Sequence, residues 1–200
     1  MRKIILIVHI SLDGYVAGAE GELDGFDASA ENLEFVCKLT EGADAALFGR
    51  TSFRMLDDYW PYVKNLPDTT KEMVSYSNWY NQAKKIVLSK TMKSDASKKV
   101  TVISENIKEE MVKIKNEEGK DILIFGSPVA TRSLMDLDLI DIYWIFVNPI
   151  LFGQGVPLFL PSTIKRRLKL RSTKSFANGE LGIEYSVDRG PSHRDKKPWH

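Results

Sequence analysis

Two places in the sequence combine glycine, hydroxyl side chains and a helix start, a combination that can bind phosphate. The first is Gly49-Arg50-Thr51-Ser52, which follows a short apolar run and precedes a helix-like pattern. Gly49 leaves space beside the backbone, and Thr51 or Ser52 can cap the helix. The Arg50 guanidinium is a planar fork that suits phosphate oxygens, although an arginine at a strand end is more often a solvated charge.

The second place is Gly126-Ser127-Pro128, which follows the apolar run "DILIF". Ser127 suits the N-cap position and Pro128 the first helical position, while Gly126 lets a ligand approach the backbone. The free N–H groups and the dipole of the first helical turn favour an anion, but a well-capped helix without a ligand also explains this stretch. Two such helix starts at one sheet edge point to a ligand with phosphates in two places. NADPH is such a ligand, with a pyrophosphate for one place and a ribose phosphate for the other.

Other familiar chemistry finds little support in the residues. No strand is followed by Gly-x-Gly-x-x-Gly, and the chain has no Gly-x-x-x-x-Gly-Lys-Ser/Thr motif. Of the three histidines, His9 lies inside an apolar strand, and His193 and His200 lie near the C-terminus. They form neither a metal-ligand pattern nor a Ser-His-Asp set, so we expect no metal and interpret His9 as a strand residue rather than a base.

Apolar patterns alternate between strand and helix over roughly the first 140 residues and become mainly strand-like over about the last 50. This order predicts an α/β fold with a mostly parallel sheet, and the Asn178-Gly179 turn predicts an antiparallel hairpin at the C-terminal end. We expect one domain over residues 1–188 and a polar, disordered tail over 189–200. Strands are predicted at 4–10, 44–49, 84–89, 99–104 and 121–126, and helices at 30–41, 51–57, 70–82, 107–119 and 129–137.

The net charge, the length of apolar runs and the cysteine count limit which partners and which cellular compartment we expect. The net charge is +1, with 28 basic and 27 acidic side chains, so nothing global favours nucleic acid. No apolar run reaches the roughly 18–20 residues needed to cross a bilayer, so we expect no membrane association. The single Cys37 excludes an internal disulfide and is compatible with a reducing, cytoplasmic compartment.

Five segments, in order and spacing, carry a resemblance to a known family. They are "HISLDGYVAG", "LFGRTSF", "IVLS", "ILIFGSPVATRSLM" and "IFVNPILFGQGVPLF". The chain resembles the dihydrofolate reductase-like superfamily, and most of all its RibD C-terminal domain branch, the reductase domain of bifunctional riboflavin-biosynthesis proteins. The resemblance covers about residues 2–188. It implies a three-layer α/β/α fold that binds NADPH across the strand ends.

The resemblance also implies roles for single residues around NADPH. Arg50, Thr51 and Ser52, beside Gly49, would hold the adenosine ribose phosphate, and Ser89 would lie on the adenine side. The residues implied around the pyrophosphate are Gly126, Ser127, Val129, Ala130 and Thr131. The residues implied at the nicotinamide end are Val16, Ala17 and Phe125, the last larger than the aliphatic side chain usual in such proteins.

The expected activity is hydride transfer to a small heterocyclic, pyrimidine-like or pteridine-like substrate, with 5-amino-6-(5-phosphoribosylamino)uracil as one candidate. The residues expected around this substrate are Val8, His9, Phe35 and Trp60. The catalytic acid is not assigned. The carboxylate that dihydrofolate reductases carry would fall near Leu33, whose neighbours Glu31 and Glu34 cannot both point inward. Glu34 and Asp13 are the candidates, and a turn explains Asp13 equally well.

Two questions of function and assembly stay open at this point. A protein that binds NADP without turnover, such as a sensor or carrier, is the alternative to a reductase, and an interaction protein with an empty cleft is a third reading. The apolar stretch 142–152 offers surface for a homodimer, as related proteins often pair.

Overall fold

A computed structural model describes residues 1–27, 29–161 and 165–190 of the chain. Its main sheet has eight strands: β1 (Ile4–Ser11), β3 (Ala43–Gly49), β4 (Lys84–Leu88), β5 (Val100–Ile103), β6 (Asp121–Phe125), β7 (Ile142–Asn148), β9 (Leu168–Ser175) and β10 (Leu181–Val187). Their spatial order is β5-β4-β3-β6-β1-β7-β10-β9. The first six strands in this order run parallel, and β10 is antiparallel to both β7 and β9.

Helices cover both faces of this sheet, which explains why its central strands are apolar on both sides. They are α1 (Ala30–Glu41), α2 (Arg50–Asp57), α3 (Trp60–Val63), α4 (Lys71–Gln82), α5 (Ile107–Asn116) and α6 (Pro128–Asp136). Side chains of β1 alternate between two cores: Leu6 and Val8 pack towards α5 and α6, whereas Ile7 packs towards α1 and α4. The predicted three-layer α/β/α class, with a mostly parallel sheet and antiparallel C-terminal strands, is confirmed.

The structure also contains short elements that the sequence patterns did not predict. Strands β2 (Tyr15–Ala17) and β8 (Val156–Pro157) pair antiparallel beside the end of β1, in the loops that follow β1 and β7. Trp60 begins the four-residue helix α3, although the pattern after α2 predicts a loop. These elements are too short for a periodic pattern to reveal them.

Most of the apolar stretch 142–152 is not the outer surface that the dimer hypothesis assumed, although Leu151 is 68% exposed. The first part of the stretch is β7, a central strand between β1 and β10, and Trp144 and Phe146 are buried. The hydrophobicity of β7 is therefore explained by the core, and a homodimer stays a prediction.

The extent of the domain, 1–188, also stays a prediction. The expected disordered tail falls almost entirely on residues 191–200, which lie outside the described residues. Within the part of the chain that the structure describes, no helix is both long and apolar enough to cross a membrane.

Candidate functional site

The two predicted helix starts meet at the carboxyl edge of the parallel strands. The backbone N–H of Gly49 donates to the Ser127 side-chain oxygen across 2.6 Å, which joins the start of α2 to the start of α6. A Cβ on residue 49 would lie 2.7 Å from that oxygen and 3.5 Å from the Ala130 Cβ. Gly49 is therefore required for the close approach of these two helices, and the two predicted anion sites lie side by side.

The hydroxyl groups do not cap these helices in the way the sequence predicted. Gly49 occupies the N-cap of α2, so Thr51 and Ser52 lie within its first turn. Ser127 occupies the N-cap of α6, but its φ is +47° and its hydroxyl makes no cap bond to its own helix. Its oxygen instead accepts from the backbone N–H of Gly49. The first turns of both helices thus keep N–H groups that no side-chain cap occupies.

Open space lies beside Gly126, between β6 and α6. Gly126 has a φ of +52°, and a Cβ built there would have no atom within 4 Å. Thr131 is fully buried and donates its hydroxyl to the Gly126 carbonyl across 2.6 Å, which fixes the loop. Ala130 is buried against Gly49, whereas Val129 is 72% exposed. Of these predicted pyrophosphate residues, Ala130 and Thr131 shape the loop, and Val129 lies on its open side.

Arg50 and Ser89 lie close together through a residue that the sequence reasoning missed. The Arg50 guanidinium donates to the Thr91 hydroxyl across 2.9 Å. The Ser89 hydroxyl accepts from the backbone N–H of Thr91, at 3.2 Å, and of Met92, at 3.1 Å. No carboxylate in the described ranges pairs with Arg50, so its charge is available to an anion beside the end of β4.

The residues predicted at the nicotinamide end have different surroundings. Val16 and Ala17 lie in β2 and are both 7% exposed, and Val16 packs into the core towards α5 and α6. Phe125 packs on the other face among aromatic rings, with centroids 5.7 Å from both Tyr76 and Trp79. Phe125 is thus part of an aromatic wall between β6 and α4.

Asp13 binds the loop that follows β7. Its carboxylate accepts from the Ser11 hydroxyl at 2.6 Å, the Phe152 N–H at 3.1 Å and the Gly153 N–H at 2.8 Å. The Ser11 hydrogen bond is the main cause that lowers the pKa of Asp13 below its ordinary value. Asp13 borders an open cleft of about 480 Å³ with Gln154, but a carboxyl held in its ionised form is a poor proton donor.

Glu34 does not face the sheet, which corrects its proposed place in the site. It lies on the outer face of α1 and pairs with Lys38, one helical turn later, across 2.8 Å. The hydrogen bond from Lys38 is also the main cause that lowers the pKa of Glu34. Val8 needs a correction too, because it is 2% exposed and packs towards α5 and α6, on the sheet face opposite to His9 and Phe35.

The structure places a buried polar group beside His9 instead. His9 Nδ1 lies 2.7 Å from the carboxylate of Glu180, and Glu180 also accepts from Asn32 of α1 at 3.0 Å. Phe35 of α1 packs edge-on against Trp144 of β7, with 5.0 Å between ring centroids. No sequence pattern indicates this group, because Glu180 follows an Asn-Gly turn and is separated from His9 by 171 positions.

Trp60 belongs to a second aromatic group, away from the residues that contact His9. Its ring lies 4.3 Å from that of Tyr76, which in turn contacts Phe125. The structure therefore separates the four predicted substrate residues. His9 and Phe35 both lie near Phe146, whereas Trp60 lies with the Phe125 group. Val8 is on the opposite face of the sheet.

Comparisons with known proteins agree with this architecture. A family model described as the RibD C-terminal domain matches residues 2–181. The chain belongs to the RibD C-terminal domain family. This RibD C-terminal domain is 32% identical over 186 residues to the uncharacterized protein YyaP of Bacillus subtilis strain 168, an alignment that covers 92% of this chain and 94% of YyaP.

Two solved structures are similar in fold to this RibD C-terminal domain. A putative riboflavin biosynthesis protein from Shewanella sp. PV-4 has a TM-score of 0.68 at 22% identity, covering 94% of this chain and 100% of that one. Dihydrofolate reductase from Enterococcus faecalis, complexed with NADP(H) and RAB-propyl, has a TM-score of 0.61 at 14% identity, covering 93% and 96%. The dihydrofolate reductase-like fold is thereby confirmed for this RibD C-terminal domain.

Proposed function

We propose that this chain is an NADPH-dependent reductase of a small pyrimidine-like or pteridine-like heterocycle. The observation that carries the proposal is the junction of α2 and α6, where Gly49 binds Ser127 and both helices present uncapped first turns. Membership of the RibD C-terminal domain family supports the same proposal. A dihydrofolate reductase of similar fold is also named as a complex with NADP(H). A substrate such as 5-amino-6-(5-phosphoribosylamino)uracil belongs to the proposed class.

The junction fits the phosphates of NADPH on three physical grounds. Helix N-termini carry partial positive charge and free N–H donors, which favour a pyrophosphate. The open space beside Gly126 admits the ligand to the backbone. Arg50 adds a full positive charge near Ser89, which suits the additional phosphate that distinguishes NADPH from NADH. When bound, the cofactor supplies the hydride, and the chain supplies orientation and a partly dry aromatic wall.

The first experiment is a titration of the purified chain with NADPH. The chain has 4 tryptophans, and Trp60 and Trp79 lie on the α4 side of the sheet. We expect energy transfer from tryptophan to the bound dihydronicotinamide, with saturation well below about 1 mM, the weak end of ordinary ligand affinities. Absence of binding at about that NADPH concentration would contradict the proposal.

Arg50→Ala tests the assignment of the ribose phosphate. Loss of a charged contact to phosphate is expected to weaken NADPH about 10-fold to 100-fold, while NADH changes by less than about 3-fold. Arg54→Ala is the matched control, because Arg54 lies on the same helix, is exposed and follows Arg50 by one turn. Equal losses for NADPH and NADH would show that Arg50 has another role.

Turnover separates a reductase from the alternative, a sensor or carrier. NADPH oxidation is measured with dihydropteridines, aminouracil ribosides and quinones as acceptors. A reductase of the proposed class oxidises NADPH with a dihydropteridine or an aminouracil. Tight NADPH binding without oxidation across all three sets would instead favour the non-catalytic protein.

A further inference from the structure

Glu180 is a buried carboxylate that the cofactor site does not use. It precedes β10 in the turn after β9 and is 1% exposed, and in the described ranges no other acidic residue is buried to this degree. Removing an ionised carboxylate from water is costly unless a cation or hydrogen-bond donors compensate for it. The partners of Glu180 therefore indicate why the carboxylate is there.

Those partners come from two different layers of the fold. Oε2 accepts from the Asn32 amide of α1 at 3.0 Å, and Oε1 lies 2.7 Å from His9 Nδ1 of β1. Oε1 makes no hydrogen bond of good geometry in the described part of the chain, so the short approach of His9 Nδ1 is its polar contact. The two side chains differ in exposure, because 31% of the His9 side chain is accessible and none of the Glu180 side chain is. The carboxylate thus lies inside, and the imidazole reaches the surface.

The contacts of Asn148 decide whether His9 carries a proton on Nδ1. The Asn148 amide nitrogen donates to the carbonyls of Ile10, at 3.3 Å, and Phe146, at 3.1 Å, and lies 3.5 Å from His9 Nδ1. The carboxylate is closer, at 2.7 Å, and it accepts only from a protonated Nδ1. The shorter distance to the carboxylate favours a proton on Nδ1, and that tautomer leaves Nε2 as the ring atom that can exchange a proton with a ligand.

Aromatic rings surround this imidazole near the carboxyl end of β1. Phe146 stacks on His9 with 5.0 Å between centroids, and Phe26 lies at 6.2 Å. Phe35 of α1 packs edge-on to Phe146 at 6.1 Å. A flat apolar wall with one exposed proton-exchanging group suits a planar nitrogen heterocycle.

In the described part of the chain, no other charged side chain forms an ion pair with His9 or Glu180. Glu31 of α1 and Lys174 of β9 pair across 2.8 Å, which also lowers the pKa of Glu31 through the hydrogen bond from Lys174. The loop that carries Phe26 contains Asp24 and Asp27, both exposed. Glu180 is therefore the charged group in direct contact with His9.

We propose that His9 is the catalytic proton donor of the reduction and that Glu180, from the C-terminal hairpin, is its positioning residue. This proposal rests on the proposed reductase function. The substrate carbon of a C=N or C=O bond accepts a hydride from NADPH, and the π electron pair of that bond moves to the nitrogen or oxygen. That atom takes the proton of His9 Nε2. The cofactor is oxidised, the substrate is reduced, and the neutral Nδ1–H imidazole is reprotonated from water.

The first test needs no substrate. In ¹⁵N NMR spectra recorded at alkaline pH, neutral His9 is expected to carry its proton on Nδ1. In Glu180→Gln, the new side-chain amide donates to Nδ1, so the proton moves to Nε2. The amide carbonyl of the new side chain can still accept from Asn32, which keeps the packing, and NADPH affinity within about 2-fold of wild type checks the fold. A neutral wild-type ring protonated on Nε2 overturns the proposal.

The second test uses whichever dihydropteridine or aminouracil riboside the wild-type chain reduces with NADPH. His9→Ala is expected to lower kcat about 100-fold or more, with a smaller change in KM and with partial rescue by added imidazole. Glu180→Gln is expected to lower kcat with a smaller change in KM, because the imidazole loses the partner that orients it. The control Glu34→Gln changes an exposed glutamate of α1 and is expected to leave kcat within about 2-fold of wild type.

The outcomes separate this proposal from the proposed function. If NADPH does not bind the wild-type chain, the reductase function itself fails. If NADPH binds and a heterocycle is reduced equally by wild type and His9→Ala, the reductase function stands and the proton-donor role is overturned. NADPH binding without reduction of any heterocycle also overturns that role.

Discussion

At the scale of single residues, Thr91 contacts Arg50, the residue proposed to bind the ribose phosphate of NADPH. Its hydroxyl accepts from the guanidinium at 2.9 Å, which restrains a long and otherwise exposed side chain. Thr91→Val removes this acceptor with little change in shape. We expect NADPH affinity to fall about 2-fold to 10-fold, the value of one hydrogen bond, with little change for NADH. Fluorescence titration with both cofactors checks this.

Two controls make the Thr91 prediction specific. Thr101→Val alters another exposed threonine, on β5, and should leave both affinities unchanged. In an Arg50→Ala background, Thr91→Val should have no further effect, because the threonine acts through the arginine. An undiminished effect in that background would mean that Thr91 contacts the ligand by itself.

Single residues could be predicted where their type limits their role and could not where a distant partner determines it. Gly49 was identifiable because few other residues permit such a close approach, whereas the phosphate role of Arg50 stays a prediction. Ser127 was assigned as a cap, but its oxygen is used by Gly49, 78 positions earlier. Glu180 resembles an ordinary residue after a turn, and only the pairing of β10 with β7 brings it near His9.

At the scale of elements, the close approach of α2 and α6 depends on one pair of atoms. In Gly49→Ala the new Cβ would meet the Ser127 oxygen at 2.7 Å, so the two helix starts must separate. We expect a loss of about 1–3 kcal/mol in the free energy of unfolding and weaker NADPH binding. Ser127→Ala alone removes the acceptor of the Gly49 N–H and costs about 1 kcal/mol.

The double variant Gly49→Ala/Ser127→Ala distinguishes a direct clash between residues 49 and 127 from an unspecific loss of stability. Without the Ser127 oxygen, the new Cβ meets the Ala130 Cβ at an ordinary 3.5 Å, so the combined cost should be smaller than the sum of the two single costs. Denaturant unfolding of all four proteins measures the coupling. Gly42→Ala is the control, because the nearest atom there is 3.6 Å away. Additive costs would contradict a direct clash.

Most long elements could be predicted because their apolar periodicity reports burial directly. The strands near β1, β3, β4 and β6 are short runs bounded by polar or glycine residues, and α1 and α5 show helical spacing. The pairing of β2 with β8 could not be predicted, since two-residue and three-residue strands have no period and arise from the packing of two loops. The order of strands and helices was therefore easier to infer than the structure of the loops, because loops have no apolar periodicity.

At the scale of the whole molecule, Asp141 joins distant parts of the chain. Its carboxylate accepts from the backbone N–H of Ile4 in β1 at 2.8 Å and lies 2.6 Å from the Lys115 amino group of α5. Arg189, after β10, pairs with it at 2.5 Å. Burial acts to raise the pKa of Asp141, but the hydrogen bonds from Lys115 and Arg189 outweigh burial and leave the pKa below its ordinary value.

Asp141→Asn tests whether this junction stabilises the fold as a whole. Lys115 is 3% exposed, so the substitution leaves a buried cation without its partner, and we expect a loss of about 3 kcal/mol in the free energy of unfolding at about pH 7. A carboxylate with a lowered pKa stabilises the folded state above the unfolded pKa of about 4, and this contribution is lost as the pH falls through the folded value. The difference in free energy of unfolding between wild type and Asp141→Asn should therefore be constant from about pH 7 to about pH 5 and shrink below about pH 4.

Urea unfolding across this range measures that difference, with the exposed Asp58→Asn as a control expected to stay within about 0.5 kcal/mol of wild type. A difference that did not shrink in acid would show that Asp141 acts through packing, not through its charge.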